Sequence, residues 1–363
     1  MGREMGASRG PILTMSDSPL ASIIILTYNN WAYTRQCLES IYRETQYPNF
    51  EVVVVDNASS DGTREALQAY RQKHANFTLL LNDTNKGFPA ANNQGAALAR
   101  GEYLVFLNND TVVTRNWLSG LLRHLDDPGV GMVGPVTNRS GNETRIRTDY
   151  VDLDDMRVFA AEYTAAHAGQ TLEVRTLPFL CVALRREVFE QIGPLDERFG
   201  VGMFEDDDYA MRLREAGYRL LCVEDVFVHH WGSAAFSLAG FARYWNLFLE
   251  NKGKFERKWN VQWQPNRYRD EYLDEQIRMW WEEKSALAYR VITLQAELDS
   301  IHQSLTWHLL EASRRLQGAL APEGSRRAAA LDSMARILRI GAARLNVFRK
   351  TWASRWREQK KRA

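Results

Sequence analysis

The chain is poor in cysteine, in long apolar runs and in net charge, and each shortage removes a class of protein. Its 363 residues contain three cysteines, Cys37, Cys181 and Cys222, with no metal-ligand spacing. A sparse, odd set fits a reducing cytoplasm rather than a disulfide scaffold. No apolar run approaches the ~20 residues of a membrane helix. Residues 1–20 lack the apolar core of a signal peptide and read as a disordered leader. Lys+Arg number 46 against 45 Asp+Glu, so overall charge gives no case for nucleic acid. No G-x-G-x-x-G turn follows the first strand, which argues against a dinucleotide site.

Residues 21–137 alternate strand and helix. Apolar runs at 22–27, 51–56, 77–81 and 102–107 read as strands, and helical patterns fall at 31–42, 61–72 and 89–99. Strands apolar throughout and separated by helices predict a parallel sheet covered on both faces. Ligands bind such sheets at the carboxyl ends of the strands. Three of those ends are polar: Thr27-Tyr28-Asn29-Asn30, Asp56 to Gly62, and Asn108-Asn109-Asp110. An Asp beside a bound phosphate calls for a bridging divalent cation. Asp56 and the Asn-Asn-Asp run also suit ordinary turns after strands.

Residues 138–240 form a second, more irregular half. Glu205, Asp206, Asp207 and Asp208 are consecutive and precede a helical pattern carrying Met211 and Leu213 and closed by Gly217. One or two acids suit a helix N-terminus. Four repel one another unless a metal or substrate also takes up charge. A strand-like run then ends in His229-His230. Neighbours on a strand point to opposite faces, so only one of the pair can face a given site, and the distance to Ser233 favours His229 over His230.

TYNN, VVVVDNASSDGT, NKGFPAANNQG, GEYLVFLNND, FEDDDYAMRLREAGY and VFVHHWGS stand in this order over residues 20–240. In that order the chain resembles the inverting family 2 glycosyltransferases of GT-A fold, in particular the rhamnosyltransferase-like enzymes of bacterial surface polysaccharides. The resemblance implies an α/β GT-A domain with a mostly parallel central sheet. It places Thr27 and Asn29 beside a nucleobase and has Asp56 accept from a pyrimidine N–H. Asn85, Gly87 and Asn93 fall in its donor-binding segment. Asn108-Asn109-Asp110 stands where the family has D-x-D. Asp110 would then ligate Mg²⁺ or Mn²⁺ on the diphosphate, with a histidine at 229 or 230 completing the site. Asn108 is an amide where the family has an acid, which removes a charge from the metal site. Asp206 matches the family's general base, with Glu205 orienting the acceptor. Asp208 reads as structural, since Arg212 follows four residues on.

The implied activity moves a sugar from a UDP- or dTDP-sugar to a lipid-linked glycan by single displacement. Two other readings fit parts of the pattern. One is a nucleotidyltransferase on a related sheet; the other is an inactive coiled-coil adaptor of a glycan assembly complex.

Beyond a connecting helical segment at 241–265, residues 266–320 read as a coiled-coil helix. Leu273, Ile277, Trp280, Lys284, Leu287, Val291, Leu294, Leu298, Ile301 and Leu305 keep a 4-3-4-3 spacing broken only by Lys284. That seam would pair two subunits or fold back within one chain. SLTWHLLEASRRL at 304–316 resembles a helix motif found after the catalytic domain in some such enzymes. Residues 321–363 read as a basic amphipathic helix. Within 326–363, twelve Lys and Arg face two acids, and Trp352 and Trp356 can share a face with Leu338, Leu345 and Phe348. Such a helix suits an anionic inner leaflet, although a solvated basic tail has the same composition.

Overall fold

The computed structural model describes residues 18–232, 238–266, 269, 271–304, 308–309 and 311–312. The basic helix expected at 321–363, the end of the seam at Leu305 and most of the 304–316 motif lie outside the described residues. The chain divides into two compact units, residues 1–286 and 287–363.

In the first unit the elements run β1 (Ala21–Thr27), α1 (Trp31–Glu44), β2 (Phe50–Asp56), α2 (Thr63–Arg71), β3 (Phe77–Leu81), α3 (Phe88–Leu98) and β4 (Tyr103–Asn108). There follow β5 (Thr111–Val113), α4 (Trp117–Leu122), β6 (Val130–Thr137), α5 (Leu153–Ala166), β7 (Thr171–Glu173), β8 (Cys181–Arg185) and α6 (Arg186–Ile192). Next come α7 (Glu205–Glu215), β9 (Arg219–His230), α8 (Leu238–Trp259) and α9 (Glu271–His302), the last crossing into the second unit.

One sheet carries all nine strands in the order β3-β2-β1-β4-β8-β6-β9-β5, with β7 also on β9. β3, β2, β1 and β4 are mutually parallel, and β6 runs parallel to β9. The valines and isoleucines of β1 and β2 are fully buried because helices cover both faces. β8 enters antiparallel between β4 and β6 and joins the two halves. The carboxyl ends of β1, β2 and β4 therefore open on one edge, beside the end of β9 carried there by β5.

α8 packs on this unit. Its Phe255 joins Phe199 and Phe204 in a separate apolar cluster, with Phe248, Trp259 and Trp263 against it. Among the described residues, no helix is long and apolar enough to cross a membrane. In the second unit Leu294, Leu298 and Ile301 lie on α9 and are 56%, 45% and 53% exposed.

Candidate active site

A cavity of about 280 Å³ lies at the sheet edge. Leu26 and Tyr28 from the end of β1, Asn57 after β2, and Asn108 to Asp110 after β4 form its floor; Asn85, Gly87, Phe88 and Val201 form its walls. Of the donor residues expected from sequence, Asn85, Gly87, Asn108 and Asp110 line it. Tyr28, Asn57 and Asn109, inside the TYNN, VVVVDNASSDGT and GEYLVFLNND motifs, also line it, whereas Val201 carries no signal readable from sequence.

The other expected donor residues build the scaffold around the cavity. Thr27 Oγ1 is 2.9 Å from Thr34 Oγ1, and Asn109 Nδ2 donates to both hydroxyls. Asn29 joins two loops: its N–H donates to Ser59 Oγ at 2.7 Å and its Oδ1 accepts from the Ser60 N–H at 2.8 Å. Asn93 fastens α3 to the far half by donating to the Leu195 carbonyl and accepting from its N–H, both at 2.9 Å. Asp56 is fully buried at the end of β2. Its Oδ2 accepts from the Ser59 N–H at 3.1 Å and lies 3.7 Å from Arg64 Nε. Its Oδ1 is buried with no hydrogen-bond partner among the described residues. A buried carboxylate oxygen without a donor is costly, and an incoming N–H would relieve it.

An amide ladder holds the wall of the cavity. Asn57 Nδ2 donates to Asn85 Oδ1 at 2.8 Å, and that oxygen also takes the Gly87 N–H at 2.9 Å. Asn57 Oδ1 takes the Lys86 N–H at 2.9 Å. Gly87 has φ 86, and a Cβ there would stand 2.0 Å from the Gly200 carbonyl oxygen. The glycine is thus required by its contact with the backbone at Gly200, which in turn accepts the Phe88 N–H at 3.1 Å.

Asp110 sits in the tight link between β4 and β5, and its carbonyl accepts the Trp231 N–H at 2.9 Å. Of the histidine pair, His230 rather than the favoured His229 reaches it: His230 Nε2 lies 3.3 Å from Asp110 Oδ1. Strand alternation sends the His229 ring elsewhere, with Nδ1 2.6 Å from the Tyr150 hydroxyl. Burial, followed by the field of His230, pushes His229 down to about 4, so this imidazole is neutral. Burial also opposes charge on His230, but its hydrogen bond to Asp110 outweighs that and raises its pKa. His230 Nδ1 donates to the Arg139 carbonyl at 2.9 Å, which orients Nε2 toward the carboxylate.

Four acids do begin α7, and their environments differ. Asp208 is fully buried and multiply paired, with Arg212 Nε at 3.1 Å, Lys258 Nζ at 2.6 Å and the Trp259 indole N–H at 2.9 Å. The last two come from α8. Asp207 accepts from the Thr176 hydroxyl at 3.3 Å, and burial, then the field of Asp206, push it up to about 8. Burial and the adjacent Asp206 raise Glu205 well above the ordinary range, and burial raises Asp206. Glu205 Oε2 is buried without a partner among the described residues. Adjacent carboxyls whose pKa values are raised by burial and by each other's field need not share one protonation state. Gly202 links this cluster to the cavity, since a Cβ built on it would lie 3.5 Å from Phe88 and 3.8 Å from Glu205 Oε1.

The sheet order, the polar strand ends and the acidic helix define a nucleotide-diphospho-sugar transferase architecture. The model of the family "Glycosyl transferase family 2" matches residues 22–193, and that segment is similar to the glycosyltransferase domains of that family. The chain is 32% identical over 225 residues to the O-antigen biosynthesis protein RfbC of Myxococcus xanthus, covering 59% of this chain and 17% of that protein. It is 29% identical over 220 residues to the glycosyltransferase AglE of Haloferax volcanii, covering 59% and 68%. Among solved structures, the mannosyltransferase PcManGT from Pyrobaculum calidifontis, in complex with GDP-Man and Mn²⁺, aligns with TM-score 0.50 at 24% identity over 89% of this chain and 81% of that one. That likeness supports the GT-A fold. The chain spans only 25% and 17% of the length of two of the curated relatives it matches.

Proposed function

We propose that this chain transfers a sugar from a pyrimidine nucleotide-diphosphate donor to a growing surface glycan, with inversion at the anomeric carbon. The observation that carries the reading is the cavity where three strand ends meet, lined by Asn57, Asn85 and Asn108 and closed at Asp110, beside which His230 stands 3.3 Å away. In this reading the base lies near Asp56, whose Oδ1 lacks a donor, and Tyr28 offers a half-exposed ring over the cavity.

A carboxylate and an imidazole are donors suited to Mg²⁺ or Mn²⁺, so Asp110 and His230 fit a divalent ion. When bound, the ion would neutralise charge on the departing diphosphate. Among the described residues that line the cavity, Asp110 is the one carboxylate, since Asn108 stands where a second acid would be; a bound ion would therefore draw further ligands from the donor's phosphates.

Displacement forms a bond between the acceptor oxygen and the anomeric carbon as the bond to the diphosphate oxygen breaks. The acceptor proton goes to a carboxylate on the opposite side, which we assign to Asp206. Glu205, held neutral, donates a hydrogen bond that orients the acceptor. Surface glycan synthesis is supported by the likeness to RfbC, and an acceptor on a lipid carrier is the finer form of the same reading.

The deciding experiment is a calorimetric screen of UDP-, dTDP- and GDP-sugars with Mn²⁺, followed by assays for release of the nucleoside diphosphate. The reading expects binding and slow hydrolysis of a pyrimidine donor. Failure of every nucleotide-sugar to bind would remove it.

A further inference from the structure

We infer that Asn251 on α8 is a positioning residue that holds the turn between the donor cavity and the acidic helix, so that α8 is part of the catalytic apparatus. The claim rests on the transferase reading above. Asn251 is fully buried in a helix that lies outside the matched family segment. Its Nδ2 donates to the carbonyls of Phe199 at 2.8 Å and Gly202 at 2.7 Å, with the Met203 carbonyl at 3.3 Å. Its Oδ1 accepts from Lys254 Nζ at 2.9 Å, and that ammonium also donates to the Arg198 carbonyl at 2.9 Å. One amide thus satisfies buried carbonyls along an irregular turn that makes no strand ladder there.

The turn needs holding. Met203 and Phe204 have φ 76 and 70, the left-handed region that side chains with a Cβ avoid. Such strain persists where surrounding contacts impose it. Phe204 is also the residue before the first turn of α7, so its backbone sets the direction in which Glu205 and Asp206 leave the turn. At the other end, the Gly200 carbonyl takes the Phe88 N–H, and Val201 lines the cavity. Movement of five residues would therefore shift the cavity wall and the acids relative to each other. Tyr244, also on α8, feels the field of Asp206, which places this helix near the acids themselves.

Four variants of the full chain test the inference: Asn251→Asp, Asn251→Ala, the milder Lys254→Met, and Asn251→Ala combined with Met203→Gly. Asn251→Asp keeps the shape but turns both donors into an oxygen facing carbonyls. Donor affinity, transfer turnover at saturating donor and the rate of trypsin cleavage after Arg198 are measured for each. A misplacement on the order of 1 Å costs up to ~100-fold in turnover, so Asn251→Asp should lose about tenfold or more while donor affinity changes by less than about threefold. Lys254→Met should show the same split with a smaller loss. Adding Met203→Gly to Asn251→Ala should restore part of the turnover, because glycine takes φ 76 without strain. Cleavage after Arg198 should quicken in both Asn251 variants whether or not a transferase substrate is found. Unchanged cleavage, unchanged turnover, or loss of affinity in step with turnover would overturn the assignment. Wild-type protein that transfers no sugar but shows the cleavage difference would leave the turn-holding role standing and remove only the transferase reading.

Discussion

Replacing Gly87 with alanine should damage both stability and donor binding, and the structure gives the scale. A Cβ at residue 87 would lie 2.0 Å from the Gly200 carbonyl oxygen and 2.6 Å from its carbon, distances that require backbone to move. A left-handed φ costs a non-glycine residue roughly 1–2 kcal/mol. Overpacking a well-filled contact adds about 1–3 kcal/mol. The Phe88 N–H to Gly200 carbonyl bond, near 1 kcal/mol net, is also at risk. The total is about 3–6 kcal/mol, or roughly 6–18 °C in melting temperature for a unit of this size. Gly62 is the control. It has φ 89, but a Cβ there meets nothing within 4 Å. Gly62→Ala should carry the strain alone, a shift of about 2–6 °C. Thermal melts of both variants, with calorimetry of nucleotide-sugar binding, separate the terms. Donor affinity should fall in Gly87→Ala, whose contact forms the cavity wall, and hold in Gly62→Ala. Equal melting shifts in the two variants would refute the argument that backbone contact, rather than φ alone, dictates glycine at 87.

Asp206→Asn should retain donor binding and lose transfer by about 10²–10⁴, because an amide cannot take the acceptor proton; single-turnover assays read this directly. Asp208→Ala should fail chiefly in stability, since it leaves Lys258 and the Trp259 indole beside an emptied buried site; a melting temperature equal to wild type would show these contacts to be idle. Asp207 has a folded pKa of about 8 against an unfolded value of about 3.9, so the folded state binds the extra proton and this residue's contribution to stability declines as pH rises from about 4 to 8. Asp207→Asn should therefore raise the melting temperature more at pH 8.5 than at pH 5, and a uniform shift would contradict the sign. Leu294→Glu with Leu298→Glu should leave the first unit folded and convert a dimer to a monomer if the α9 seam is intermolecular, as light scattering would show.

The first four strands were legible because each is a short, wholly apolar run bounded by turn residues. β1 ends at Thr27 and β2 at Asp56, as the sequence implied, and Gly217 with φ 86 closes the helix after the acids. β8 was not legible. CVALR is five residues long, and nothing local says that it inserts antiparallel between β4, more than seventy residues earlier in sequence, and β6, fifty residues earlier. The histidines show the limit of alternation. It separates His229 from His230, but the ring that faces Asp110 is set by β9 pairing with β5, where Thr111 opposes His230. The role of α8 was hidden for a similar reason. An amphipathic helix announces an apolar face but not its partner, so Lys258 and Trp259 reach Asp208 only once the chain has folded. Thr27, Asn29 and Asn93 lie close to the cavity in sequence, yet their hydrogen bonds go to helix α1 and to neighbouring loops.

The central claim is that Asp110 and His230 hold a divalent ion that helps the cavity bind a nucleotide-sugar. Isothermal calorimetry of the identified donor, with EDTA and then with excess Mn²⁺, tests it on wild type and on Asp110→Ala. The account predicts that wild type binds the donor with Mn²⁺ and loses most affinity in EDTA, while Asp110→Ala binds weakly and alike in both. Equal affinity of wild type with and without the ion, or a metal dependence that survives Asp110→Ala, would contradict it.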